Sequence, residues 1–219
     1  MDNLVVLNNE KVSNENGKFY SRNYNFKILP EGLDRYFKVE YIVRKSNVKE
    51  NHELNLESIK IASNIIQFIS FVISTFKNKN SKYFLICISP YTFIAFLLLL
   101  LFRKKVFVYL ISSGHEEWKF ILGSWSVWIY EIMYSIVTSN STVIALHDRL
   151  YKKKKGHVIS SSTFGKIFVR ICFTFLTSPS TNSRSELVFE ILLIYSFNKF
   201  LCIGLRLLYL PLKFSTIIW

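Results

Sequence analysis

From Val39 to Ser160 the chain alternates short β-branched runs with longer helical stretches, and after Ser160-Ser161-Ser162 the alternation stops. Val39-Glu40-Tyr41-Ile42-Val43 is a short β-rich run. Between Leu54 and Phe76, apolar residues at Leu56, Ile59, Ile61, Ile65, Ile66, Ile69 and Val72 come close to helical spacing and predict a helix. Tyr83–Ile88 is continuously apolar, as a fully buried parallel strand is, and ends at Ser89-Pro90. Tyr91–Phe102 carries no internal breaker and predicts a helix. Val106–Ile111 is a second buried strand, closed by Ser112-Ser113-Gly114, and Leu122–Thr138 has helical length. Thr142–Leu146 and His157–Ile159 predict two more strands. Strands alternating with helices imply parallel β-α-β units in a doubly wound sheet, an α/β fold.

Tyr83–Phe102 is also twenty residues without a charge, followed by Arg103-Lys104-Lys105, a pattern shared with spanning helices. Ser89-Pro90 argues against a span, because a residue before proline is pushed out of the helical region. Six residues before that break and twelve after it fit a strand and a helix. The alternative to the α/β reading is a non-catalytic integral membrane protein with two or more hydrophobic segments. A third arrangement reconciles both signals: a domain lying on the membrane, with Tyr91–Phe102 or its basic surface against lipid headgroups.

The 219 residues carry a formal net charge of +13, which favours anionic partners such as nucleic acid or acidic lipid. Nucleic acid is disfavoured, because the aromatics sit in apolar runs rather than among Arg and Lys, and no nucleic-acid-binding signature appears. The basic run Lys152-Lys153-Lys154-Lys155 reads as a membrane-surface contact, although such runs are commonly just solvated. Trp118, Trp125 and Trp128 with Tyr130 and Tyr134 fit a helix packed on the sheet, or an interfacial aromatic belt. Cys87, Cys172 and Cys202 are odd in number and lie in apolar surroundings. They form no disulfide framework and have no metal-ligand spacing, so no metal is expected and a reducing compartment fits.

In doubly wound sheets ligands sit beyond the carboxyl ends of the strands. That rule draws attention to Ser89, Gly114, His115 and Glu116. His115-Glu116 follows a buried strand as an acid/base or sugar-hydroxyl-binding pair would, or as solvated loop residues would. Arg44 closes the Val39 strand and can meet an anionic acceptor such as a lipid pyrophosphate.

Three stretches carry a resemblance. Gly32-Leu33-Asp34-Arg35-Tyr36 leads into Val39–Arg44. Ser89-Pro90 closes a strand before an apolar helix and Lys104–Tyr109. Ile129-Tyr130-Glu131 to Leu150 encloses the strand Val143-Ile144-Ala145, and His157–Ser160 follows. In this order and spacing, residues 1–162 resemble the N-terminal, acceptor-binding half of a GT-B glycosyltransferase of the large bacterial polysaccharide and lipopolysaccharide family. The resemblance implies a Rossmann-like doubly wound sheet, half of a GT-B fold. It implies transfer of a sugar from a nucleotide sugar donor, with no cofactor, to a lipid-linked or saccharide acceptor. It also implies a cytoplasmic protein peripheral to the inner face of the cell membrane. The family's donor site has a basic pair and two glutamates eight apart; here Glu186 and Glu190 are four apart. Residues 163–219 read as an irregular hydrophobic tail, disordered or frameshifted, so the chain is expected to be inactive alone.

Overall fold

The computed structural model describes residues 2–78, 80–145 and 150, and the backbone of 156–158. The expectations for Lys152–Lys155, for the boundary at 162 and for the 163–219 tail lie outside the described residues. Among the described residues, nine strands form one mixed, mostly parallel sheet. In chain order the elements are β1 (Asn3–Glu15), β2 (Lys18–Ser21), α1 (Tyr24–Asp34), β3 (Lys38–Lys45), β4 (His52–Leu54) and β5 (Ser58–Ala62). They continue as α2 (Ile65–Ser74), β6 (Lys82–Ile86), α3 (Pro90–Leu101), β7 (Val106–Leu110), α4 (His115–Leu122), α5 (Trp125–Asn140), β8 (Thr142–Ala145) and β9 (Gly156–Val158). A short 3-10 turn, Thr75–Lys77, follows α2.

The parallel strands lie side by side as β5, β3, β1, β6, β7, β8, β9. The chain builds outward from β1 in one direction, then crosses back to β6 and builds in the other. Right-handed crossovers therefore place α1 on one face and α2, α3 and α5 on the opposite face. The two cores reflect this. Leu29 and Leu33 of α1 share a cluster with Leu4, Val6 and Tyr41. Phe68, Phe96 and Met133, from α2, α3 and α5, share the other with Val5, Leu7 and Leu85.

Several expectations are corrected. β1, the central strand, is absent from the strand list drawn from the alternation, yet Leu4–Leu7 is fully buried between β3 and β6. The helix expected from Leu54 starts only at Ile65, because Ser58–Ala62 pairs parallel with Glu40–Arg44. Its residues follow a period of two: Ile59 and Ile61 pack on the α1 side, while Lys60 reaches Glu40 and the Ser74 hydroxyl. The sheet is not wholly parallel. The far half of β1 turns back at Asn16-Gly17, both with positive φ, and pairs antiparallel with β2, which pairs with β4.

Residues 83–102 divide as the proline argument predicts. Ser89 is the N-cap of α3 and Pro90 its first residue, where a missing amide proton leaves no helical bond unmade. Among the described residues no helix is long and apolar enough to cross a membrane.

Candidate functional site

A cavity of about 500 Å³ opens at the carboxyl ends of β1, β6 and β7, where the order of connection reverses. β1 contributes Asn8, Asn9 and Glu10; the end of β6 contributes Cys87, Ile88 and Ser89; Ile111 and Ser112 follow β7. The far wall is Gly114, Glu117, Trp118 and Tyr130, with Ile121 and Leu122 at the rim.

The floor is held by hydrogen bonds. Asn8 is buried and donates from Nδ2 to the Tyr41 hydroxyl at 3.0 Å; that hydroxyl donates on to the Phe26 carbonyl at 3.3 Å. The Asn8 Oδ1 accepts from the Glu10 amide at 3.2 Å, which directs the Glu10 side chain across the mouth. There its carboxylate accepts from the Asn23 amide at 3.2 Å. Burial raises the Glu10 pKa above the ordinary carboxylate value, and the Asn23 bond opposes the shift. Cys87 holds a left-handed backbone, φ 60°, and burial pushes its thiol up to about 11.

Of the residues singled out in the sequence, Ser89 and Gly114 line this cavity. Ser89 is committed to its helix: its Oγ accepts from the Thr92 amide at 3.3 Å, and the Thr92 hydroxyl accepts from the Ser89 amide at 2.9 Å. Gly114 has φ 63°, and a Cβ there would lie 2.3 Å from Tyr130 Cζ. His115 and Glu116 are not among the lining residues. They are helical rather than loop residues, in the first turn of α4. His115 bonds Glu131 through Nε2 and packs edge-on against Tyr130, with ring centroids 4.7 Å apart. Glu116 and Glu117 are both exposed, but only Glu117, one helical step of about 100° further round, lines the cavity. Arg44 stands behind the wall. Its Nη1 donates to Asn9 Oδ1 at 3.1 Å and its guanidinium lies 4.3 Å above the Tyr91 ring.

Glu10 lies on β1, outside the alternation that begins at Val39, and Glu117 sits one residue past the His115-Glu116 pair at the end of β7. A signal for Glu10 does exist: Leu4–Leu7 is an apolar strand run, and Asn8-Asn9-Glu10 is the polar stretch at its carboxyl end. Among the described residues no group of three or more His, Cys, Asp or Glu could hold a metal.

The lining has two carboxylates, three amide side chains (Asn8, Asn9, Asn23), three aromatic residues (Phe26, Trp118, Tyr130) and neither Lys nor Arg. Such a set accepts hydrogen bonds from hydroxyls and stacks on apolar ring faces, but it repels phosphate. The chain matches no family model, no curated protein and no solved structure.

Proposed function

We propose that residues 2–158 form the saccharide-acceptor half of a GT-B-like glycosyltransferase in cell-surface polysaccharide synthesis. The observation that carries this reading is the cavity between β1 and β6, rich in hydroxyl-binding groups and free of lysine and arginine. The strand order, with its reversal at β1 and β6, supports a Rossmann-like sheet. The acceptor is a neutral saccharide, free or lipid-linked, and the protein works at the inner face of the cell membrane.

In the reaction the acceptor hydroxyl attacks the anomeric carbon of a nucleotide sugar. The new carbon–oxygen bond forms as the bond to the diphosphate breaks, and the hydroxyl proton passes to a base. Glu10 suits that role, since partial burial raises its proton affinity and Asn23 holds its carboxylate in place. Positioning of the acceptor and stabilisation of the leaving diphosphate carry the rest of the barrier lowering. The acidic cavity is unsuited to the diphosphate, so the donor is held elsewhere and the cavity alone does not turn over.

Saturation-transfer NMR on the full chain tests this reading, with neutral saccharides and nucleoside diphosphates as competing probes. Saccharide contact that weakens in Glu117→Gln is the expected result. A nucleoside diphosphate seated in the cavity, lost in the same variant, would overturn it.

A further inference from the structure

The helix layer α2, α3 and α5 has one charged residue, Glu131, in its three helices, and that residue is bonded to His115. The inner side of each helix packs on the sheet. The outer side is largely apolar and open to solvent, with Ser70, Ser74 and Glu131 among its exposed residues. Ile66 is 78% exposed on α2, Leu101 75% on α3 and Trp128 70% on α5, with Ile94, Leu97 and Ile132 also exposed between them. A water-facing layer ordinarily alternates such residues with charges.

The charges lie instead at one end. α2 and α3 both finish at the amino-terminal edge of the sheet, where the tilted rings of Phe76 and Phe102 meet with centroids 4.8 Å apart. Lys77 follows α2 there, and Arg103, Lys104 and Lys105 follow α3. Lys104 Nζ lies 5.5 Å from the Phe76 ring centroid, which brings Lys104 to the end of α2, while Lys105 Nζ lies 5.3 Å from the ring centroid of Phe107, a residue of the α1-side core. Arg103 takes the left-handed position, φ 51°, of a helix stop. There its amide donates to the Leu100 carbonyl at 3.0 Å and the Lys104 amide to the Leu99 carbonyl at 2.8 Å. Glycine occupies such a position without strain, so an arginine here adds charge where the backbone alone favours none.

We infer that the outer face of the α2–α3–α5 layer lies on an anionic lipid bilayer, its apolar side chains in the interface and its basic end against headgroups. Charge complementarity selects this occupant. A second copy of the chain offers the basic row no free acid on this face, because Glu131 is held by His115. Anionic headgroups do offer one. The exposed tryptophan also suits an interface of mixed polarity. The layer lies on the bilayer rather than crossing it. This inference does not depend on the sugar-transfer reading.

The experiment is co-sedimentation of the full chain with vesicles of phosphatidylcholine alone, and with vesicles containing phosphatidylglycerol. Binding to the second kind, weakened by salt, is expected. Arg103→Gly should bind them about fivefold less tightly, with an unfolding temperature equal to or above that of the parent chain. Leu97→Gln with Leu101→Gln should stay folded by circular dichroism and lose binding to both kinds. Binding by these variants at the parental level would overturn the inference. So would a dimer in analytical ultracentrifugation that the paired leucine variant converts to monomer.

Discussion

Tyr130 closes over Gly114 so tightly that any β-carbon at 114 would lie 2.3 Å from the tyrosine Cζ and 2.4 Å from its hydroxyl oxygen. The ring cannot yield, since Tyr130 is only 2% exposed and is packed by His115, Trp118 and Tyr134. The contact sets the far wall of the cavity and the start of α4 together. Gly114→Ala adds both this overlap and the cost of a positive φ. It should destabilise the domain by about 2–4 kcal/mol in urea unfolding. A loss below about 0.5 kcal/mol would show that the Tyr130 ring moves freely.

Ser89 belongs to the fold before it belongs to the ligand. With its side chain in a reciprocal cap with Thr92, Ser89→Ala should cost about 1 kcal/mol of stability. Saccharide binding measured on the folded fraction should be unchanged. A selective loss of binding at parental stability would make Ser89 a ligand contact.

Glu10 should show the opposite balance. Its folded pKa is raised, so the folded state favours the protonated form. Stability from this group is present below the unfolded carboxylate pKa and is lost as pH rises through the folded value; at neutral pH the charge is a burden. Glu10→Gln keeps an oxygen for the Asn23 amide and removes the charge. It should raise the unfolding temperature slightly and weaken saccharide binding about tenfold, the loss of one hydrogen bond to a charged group. A fall in stability instead would mean that the carboxylate is an anchor of the fold.

The Cys87 thiol should be unreactive at neutral pH. Burial lifts it from an ordinary value near 9 to about 11, which favours the protonated form in the folded state. That contribution is complete below pH 9 and disappears between about pH 9 and 11, with roughly 3 kcal/mol lost in total. Cys87→Ser should flatten that part of the stability profile. Rapid labelling of the folded chain by a thiol reagent at pH 7 would contradict the burial.

The middle of the chain was legible as sequence. Tyr83–Ile88 and Val106–Ile111 are apolar throughout because strands covered on both faces need no polar side, and Ser89-Pro90 stops one element and caps the next. Local chemistry determined those boundaries. It marks β1 only faintly, because the Leu4–Leu7 run is short and set among polar residues, and it leaves β5 undecided, because Ile59 and Ile61 fit either period. Which period prevails depends on β3 lying alongside, a partner some eighteen residues earlier in the chain. The site was legible only as a rule about strand ends. Ser89 and Gly114 follow from it, but Glu10 and Glu117 line one cavity only because β1 lies between β3 and β6 and α4 starts just beyond β7. Burial, and with it the raised pKa of Glu10 and of Cys87, is set by packing between elements distant in the chain. No local pattern records that, because it is the sheet order that decides which strand ends share one opening.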